Sequence, residues 1–135
     1  MEIRNLKVLV AEDNQMNIFL MKKVLAKWGI TADFAINGFE AVKAYQTNTY
    51  DVILMDLKMP LMDGYQAASI IRNDNSSLKS KIPIIALTAS LASEVKGKMA
   101  EAGIDDIITK PFNLDVLKFK LQEIALGSFV TQGNY

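Results

Sequence analysis

Five short runs of apolar residues alternate along the chain with five stretches whose apolar residues recur at helical spacing. The apolar runs occupy residues 6–11, 30–36, 50–55, 82–87 and 106–109. This alternation is typical of parallel sheets, because each parallel strand needs a crossover connection that a helix supplies. Residues 52–55 (Val-Ile-Leu-Met) carry no polar side chain. Such runs indicate a sheet that helices cover on both faces.

The alternation predicts both the fold class and the extent of the domain. We predict an α/β, flavodoxin-like, doubly wound sheet of five parallel strands in the order 2-1-3-4-5, with helices on both faces. We expect one domain over residues 1–127 and a C-terminal tail over residues 128–135, since no linker is evident. A chain of 135 residues is long enough to bury a substantial core.

The composition excludes several kinds of chemistry. The chain has no Cys and no His. This rules out disulfides, thiol nucleophiles, His-based triads, metals held by Cys or His, and a phosphohistidine within the chain. The remaining carboxylates, hydroxyls and cationic side chains favour oxygen-coordinated cations and phosphoryl chemistry. The formal net charge is zero, so we expect no nucleic acid as a partner of this chain.

We also expect no membrane segment in this chain. No apolar stretch approaches the roughly 20 residues that cross a bilayer, and the N-terminus does not resemble a signal peptide. The absence of Cys is compatible with the cytoplasm, which is the location we predict. Membrane anchoring of a longer parent protein stays open.

Polar residues stand at the ends of four predicted strands: Glu12-Asp13, Asp56, Thr88 and Lys110. In the predicted order these strands are neighbours, so their carboxyl ends converge on the edge where open α/β sheets bind ligands. Two carboxylates about 4 Å apart repel by about 4 kcal/mol at an effective dielectric constant of about 20. The acidic cluster therefore predicts a cation, and Mg²⁺ is the expected one. Thr88 and Lys110 are suited to hold phosphoryl oxygens beside a nucleophilic Asp56.

These motifs resemble the receiver domain of two-component response regulators over residues 6–126. The matching segments are Val10-Ala11-Glu12-Asp13-Asn14 with Asn17, Asp56-Leu57-Lys58-Met59-Pro60 with Met62-Asp63-Gly64, Ala86-Leu87-Thr88-Ala89, and Lys110-Pro111-Phe112. Their order and spacing make the resemblance specific.

The resemblance implies how the site would hold a metal ion and a phosphoryl group. It implies that Asp56 accepts a phosphoryl group from a phosphohistidine on a partner. Asp13 and Asp56 would ligate Mg²⁺ directly, together with the main-chain carbonyl of Lys58, while Glu12 would act mainly through water. The phosphoryl oxygens would be bound by Thr88 and Lys110. The peptide bond between Lys110 and Pro111 is expected to be cis, which is accessible only before proline.

The resemblance also implies a partner and a setting. The chain is most similar to receivers of hybrid sensor histidine kinases. The implied partner is a histidine kinase or a histidine-phosphotransfer domain. The receiver would catalyse its own aspartyl phosphorylation and dephosphorylation, and would relay or report the signal.

One position departs from the family pattern. The family usually has an aromatic residue three positions before the Lys, where it forms a conformational switch together with Thr88. This chain has Ile107 there, and Ile is stiff and lacks a polar group. The departure favours a phosphorelay intermediate over a strong allosteric switch.

We predict a docking surface for the partner on the first helix. Residues 18–21 (Ile-Phe-Leu-Met) are all apolar and, at ~100° per residue, cover most of a helix circumference. We place Leu20, Val24 and Trp28 on the buried side with Met21 and Leu25 beside them, which turns Ile18 outward and leaves Phe19 at the flank. The predicted docking residues are Gln15, Ile18, Phe19 and Lys22.

Three other functions remain open. An aspartate-nucleophile phosphatase would need a second acid two positions after Asp56, where this chain has Lys58. A flavin- or nucleotide-binding module would need a first loop that cradles a phosphate, and the acidic loop at Glu12 would repel one. A degenerate receiver would act only as a protein-interaction module, although this chain retains the whole site.

Overall fold

The structure, a computed structural model, describes residues 2–75 and 79–129. Within these residues five strands alternate with five α-helices, and two short 3₁₀ helices cover Ile3–Asn5 and Lys79–Lys81. The strands are β1 (Lys7–Ala11), β2 (Thr31–Ala35), β3 (Val52–Asp56), β4 (Ile84–Thr88) and β5 (Asp106–Thr109). The helices are α1 (Gln15–Lys27), α2 (Gly38–Thr47), α3 (Gly64–Arg72), α4 (Ala92–Ala102) and α5 (Leu114–Leu126).

The strands form one parallel sheet in the order β2-β1-β3-β4-β5, which confirms the predicted fold. β3 lies at the centre and pairs with β1 on one side and with β4 on the other. The register places Asp56 opposite Leu87, and Thr88 opposite Thr109. The carboxyl ends of β3, β4 and β5 therefore lie side by side at one edge of the sheet.

Alternate strand residues point to opposite faces of the sheet and pack into two cores. In β3, Ile53 and Met55 belong to the core that α2, α3 and α4 cover, whereas Val52 and Leu54 belong to the core that α1 and α5 cover. Helices thus lie on both faces, as predicted. Every residue of β3 and β4 is buried, which explains why their sequences are apolar without alternation.

Asn or Asp side chains begin four of the five α-helices in the described part of the chain. The capping residues are Asn14 for α1, Asn37 for α2, Asp63 for α3 and Asn113 for α5. Each side-chain oxygen accepts a hydrogen bond from a main-chain N–H in the first turn, which has no partner within the helix. These caps fix where each helix starts after the loops at the carboxyl edge.

The described C-terminal residues continue briefly past the last helix. Gly127 ends α5 in the left-handed conformation, with φ of 75°. The N–H of Ser128 donates to the carbonyl of Glu123, and Phe129 packs against the core beneath α1 and α5. Residues 130–135 lie outside the described residues, so the domain end at residue 127 and the tail over 128–135 stay predictions.

Candidate functional site

Four predicted site residues meet at the carboxyl edge of the sheet. Asp56 is the last residue of β3 and is 6% exposed, and Glu12, directly after β1, is 1% exposed. Thr88 is the buried last residue of β4. Lys110 follows β5, its N–H donates to the carbonyl of Thr88 at 2.7 Å, and its bond to Pro111 is cis, as expected. The parallel topology thus gathers residues that are far apart in sequence.

Three carboxylates form a compact cluster at this edge. One oxygen each from Glu12, Asp13 and Asp56 lies within 4.8 Å of the others. Glu12 and Asp56 are buried, whereas Asp13 is exposed. Like charges at this separation repel, and little water screens the buried pair. The cluster therefore needs a cation or a proton to be stable.

Lys110 supplies part of the compensating charge. Its Nζ lies 3.2 Å from Oδ2 of Asp56 and 2.9 Å from Oε1 of Glu12. The contact with Asp56 is a hydrogen bond. The contact with Glu12 is an ion pair without hydrogen-bond geometry. One ammonium therefore faces two buried carboxylates, and the site keeps an excess of negative charge.

This crowding shifts the protonation of the three groups. Burial, and then the neighbouring Glu12, raise the pKa of Asp56 from 3.8 to about 7, although Lys110 opposes the change. Burial alone would also raise the pKa of Glu12, but its contacts with Asp56 and Lys110 hold that pKa below its usual value. Burial alone would lower the pKa of Lys110, but the contact with Glu12 raises it. Below about pH 7 the pair of acids therefore holds a proton, which resides mainly on Asp56.

The donor set fits a hard divalent cation. Carboxylate oxygens are the ligands that Mg²⁺ prefers, and three residues offer them here. In the described part of the chain, Oε1 of Glu12 is buried without a hydrogen bond, and the Lys110 ammonium 2.9 Å away is the cation that compensates it. The N–H of Lys58 donates to Oδ1 of Asp56 at 3.3 Å, so the loop after β3 folds over this carboxylate.

The two predicted switch positions lie on neighbouring strands. The Thr88 hydroxyl accepts a hydrogen bond from the N–H of Ser90 at 3.0 Å, which orients it at the start of the loop that leads to α4. Ile107 in β5 is half-buried and packs against the core that α2, α3 and α4 cover. Their role as a switch stays a prediction.

A match to a known protein family covers most of the chain. The family described as the response regulator receiver domain matches residues 8–122, which include every residue of the site above. The chain belongs to the response regulator receiver family. The resemblance carried by the sequence motifs is confirmed.

Curated relatives of this receiver include hybrid histidine kinases. It is 42% identical over 118 residues to hybrid signal transduction histidine kinase G of Dictyostelium discoideum, a match that covers 86% of the chain and 3% of the kinase. It is 37% identical over 108 residues to the sensor protein GacS of Pseudomonas syringae pv. syringae, covering 79% of the chain and 12% of that protein. The receiver thus spans only a small part of these curated relatives.

Solved receiver structures share the fold closely. The receiver domain of sensor histidine kinase PA1611 from Pseudomonas aeruginosa, which has a magnesium ion coordinated in its active site cleft, superposes with a TM-score of 0.81 at 33% identity, over 89% of this chain and 98% of that one. A second match is to the co-crystal structure of the Saccharomyces cerevisiae phosphotransfer protein Ypd1 and the receiver domain of Ssk1. Its TM-score is 0.82 at 33% identity, over 94% of each chain.

Helix α1 of the receiver differs from its predicted orientation at two residues, Ile18 and Leu20. Its buried residues are Met21, Val24 and Leu25. Leu20, which we expected to be buried, is 42% exposed, and Ile18 is half-buried rather than turned outward. The run of four apolar residues hid the orientation, because its members point in almost every direction around the helix. Packing of Met21 against the sheet decides it.

The exposed apolar surface of α1 consists of Met16, Phe19 and Leu20. Phe19 is 57% exposed, and the Nζ of Lys23 lies 4.9 Å from the centroid of its ring. Gln15 and Lys22, the other predicted docking residues, are exposed as expected. We call Met16, Phe19 and Leu20 the α1 patch.

The sequence did not reveal how closely Gly64 approaches the acceptor strand. A Cβ on Gly64 would lie 2.2 Å from the main-chain oxygen of Asp56 and 3.0 Å from the Cα of Leu57. The segment Met62-Asp63-Gly64 carries the signal, but as a pattern it indicates only a loop followed by a helix. Position 64 requires glycine because the loop after β3 folds back and brings it against the main chain of Asp56 and Leu57.

Proposed function

We propose that this receiver accepts a phosphoryl group on Asp56 from a phosphohistidine of a protein partner. An oxygen of the Asp56 carboxylate attacks the phosphorus, the bond from phosphorus to the donor imidazole nitrogen breaks, and an aspartyl phosphate forms. Attack of water on the phosphorus then releases inorganic phosphate and restores the carboxylate. The carrying observation is the placement of Asp56, a buried carboxylate at a strand end, against the Lys110 ammonium and within the acidic cluster.

We propose Mg²⁺ as the cofactor. Asp13, Asp56 and the main-chain carbonyl of Lys58 would hold it directly, and Glu12 would act through water. When bound, Mg²⁺ supplies positive charge that offsets the charge of the carboxylates and of the phosphoryl oxygens. The cluster of three carboxylates, which one ammonium only partly neutralises, supports this assignment. The magnesium ion in the PA1611 receiver supports it by similarity.

Thr88 and Lys110 would bind the oxygens of the transferring group. The Lys110 ammonium already lies 3.2 Å from Asp56, so it can move from the carboxylate to a phosphoryl oxygen without a large displacement. The Thr88 hydroxyl would donate to another oxygen while its own oxygen keeps the hydrogen bond from Ser90. Charge that develops on the phosphoryl oxygens is thereby stabilised by groups that are already in place. Thr88 and Ile107 are the proposed switch positions, and the absence of an aromatic ring at Ile107 favours a phosphorelay intermediate over a strong allosteric switch.

We infer that the partner is a histidine kinase or a histidine-phosphotransfer domain, and that the receiver is part of a longer phosphorelay protein. The hybrid kinases among its relatives and the co-crystal structure of Ypd1 with Ssk1 support this. Among the helices of residues 2–75 and 79–129, none has the length and apolar character to span a membrane. A cytoplasmic location stays a prediction from the sequence.

Acetyl phosphate and Mg²⁺ provide the test of the acceptor. We expect intact mass spectrometry to show a gain of one phosphoryl group that base or hydroxylamine removes. Asp56→Asn should abolish the gain because it removes the nucleophilic oxygen. The matched control is Asp63→Asn, which changes a nearby acid but keeps a good cap for α3. Equal labelling of the Asp56→Asn variant and the parent would refute the assignment.

The metal has its own test. Excess EDTA should stop labelling, and Asp13→Ala should weaken Mg²⁺ binding and slow labelling. Labelling that proceeds unchanged in EDTA would contradict the cofactor. A domain that binds Mg²⁺ but never gains the phosphoryl mass would instead be a degenerate receiver.

A further inference from the structure

Gly38, which lies outside the motifs of the site, contacts the loop that follows the phosphoacceptor. Gly38 is the buried first residue of α2, and its N–H donates to the carbonyl of Met62 at 2.8 Å. A Cβ on Gly38 would lie 2.5 Å from that carbonyl oxygen, and 2.6 Å and 2.8 Å from Cγ and Cβ of Met62. Any other residue at this position would have to push the loop away.

This contact fixes the loop from the side. Residues 58–63 include Lys58, whose carbonyl is a proposed metal ligand. The loop is closed at its base by the hydrogen bond from the N–H of Gly64 to the carbonyl of Leu57. Among the described residues, the bond from Gly38 is the one main-chain hydrogen bond that joins residues 58–63 to an element other than the flanking strand and helix. Displacing Met62 therefore displaces the loop that carries the Lys58 carbonyl.

Backbone preference does not explain the glycine. Gly38 is not among the residues with positive φ, and glycine costs about 1 kcal/mol relative to alanine inside a helix. Gly97 in α4 offers the contrast, because a Cβ added there meets nothing within 4 Å. Close approach to Met62 is the feature that requires glycine at position 38.

We propose that Gly38 is a positioning residue for the metal site: it lets α2 hold the loop after β3 so that the Lys58 carbonyl faces Asp13 and Asp56. This inference rests on the proposed Mg²⁺ site. Gly38 touches neither the metal nor the phosphoryl group, so it acts only through the loop.

The first experiment compares Gly38→Ala with Gly97→Ala. Calorimetric titration with Mg²⁺ should show about tenfold or greater weakening in Gly38→Ala, the range seen when the supports of metal ligands are removed. Gly97→Ala should bind Mg²⁺ as the wild type does. Ile124→Ala, which shortens a half-buried side chain of α5 in the core on the opposite face of the sheet, controls for a general loss of stability.

The possible outcomes distinguish failure of this inference from failure of the proposed Mg²⁺ site. Unchanged Mg²⁺ affinity in a folded Gly38→Ala domain would overturn the positioning role and leave the metal site standing. Equal weakening in Ile124→Ala would also overturn it, since loss of stability would then explain the result. Failure of the wild type to bind Mg²⁺ would overturn the metal site and this inference together.

A second experiment uses the unmodified domain and decides the matter even if Gly38→Ala does not fold. Coupling is reciprocal, so Mg²⁺ should strengthen the hydrogen bond from Gly38 by about the factor by which that bond strengthens Mg²⁺ binding. Amide hydrogen exchange followed by NMR should therefore slow at Gly38 by about tenfold on saturation with Mg²⁺. The control is the amide of Gly103 at the end of α4. Equal slowing at both amides, or no slowing at Gly38, would refute the proposal.

Discussion

The ammonium nitrogen of Lys110 lies 2.9 Å from Oε1 of Glu12, a carboxylate that is almost completely buried. The sequence pairs this lysine with the phosphoacceptor, yet the structure places it between two acids. Lys110 therefore has a structural task before any phosphoryl group arrives. It offsets the charge that desolvation and repulsion make costly at this edge of the sheet.

Lys110→Ala is expected to lower the stability of the metal-free domain as well as slow labelling by acetyl phosphate. The loss leaves buried carboxylates without their cation, and we expect it to cost about 1–3 kcal/mol. Urea unfolding in EDTA measures it, and Lys96→Ala, at an exposed position of α4, is the control. Identical midpoints for the two variants would contradict the structural role.

Asp56→Asn is expected to stabilise the metal-free domain by an amount that depends on pH. The pKa of Asp56 is about 7 in the folded domain, against about 3.9 in an unfolded chain. Between these values the folded state holds a proton that the unfolded state releases, so wild-type stability falls as the pH rises from about 4 to about 7. The Asn side chain of the Asp56→Asn variant does not bind this proton, so the variant does not lose stability over this pH range.

The two proteins should therefore differ most above about pH 7 and converge near about pH 4. The expected maximum is on the order of a few kcal/mol. Urea unfolding in EDTA across this range is the measurement. A stability difference that grows toward acid pH would show that the pKa of Asp56 is not raised.

Phe19→Asp is expected to weaken phosphotransfer from the protein partner while leaving labelling by acetyl phosphate intact. The α1 patch lies next to the β1 strand end, and a partner histidine that reaches Asp56 must rest on nearby surface. Burial of one such side chain is worth roughly 1.5–3 kcal/mol, or about 10- to 150-fold in affinity.

Phe119→Asp is the matched control, because this residue of α5 is 61% exposed and lines a different groove with Trp28 and Arg4. Equal loss of phosphotransfer in both variants would argue against docking at the α1 patch. Ile18→Asp should instead lower the melting temperature and depress both reactions, because Ile18 is half-buried.

Replacing Lys58 by Asn or Glu is expected to change the lifetime of the aspartyl phosphate. The Lys58 side chain is exposed two positions after Asp56, where we expect it to lie beside the path that water takes to the phosphorus. The measurement is the decay of the phosphorylated mass after the donor is removed. Decay rates equal to that of the parent would show that this side chain points away from the water path.

The fold and the site residues could be predicted because both depend on strong local signals. Apolar runs such as residues 52–55 define buried strands, and parallel topology then brings their carboxyl ends together. Asp56, Thr88 and Lys110 therefore fall at one edge whatever the details of side-chain packing.

The remainder depends on contacts between distant segments. The predicted orientation of α1 was wrong at Leu20, because the apolar run over residues 18–21 has no periodicity that distinguishes the buried face of the helix. The pairing of Lys110 with Glu12 depends on side-chain conformations across 98 positions of sequence. The contact of Gly38 with Met62 carries no local signal, since Asn37-Gly38 indicates only a turn.

The central place of β3 has a mechanical consequence. Residues Val52–Met55 pair with β1 and Ile53–Asp56 pair with β4. The strand that carries Asp56 is thus held along both edges, as is typical of the most stable part of a fold. We therefore expect the main chain at Asp56 to move little when a phosphoryl group is added to its side chain. The loop over residues 58–63 has fewer main-chain hydrogen bonds to other elements than the strand has, so we expect displacements to occur in the loop. Phosphorylation thus takes place on a strand that is held along both edges, and we expect its conformational effect in the loops at the carboxyl edge of the sheet.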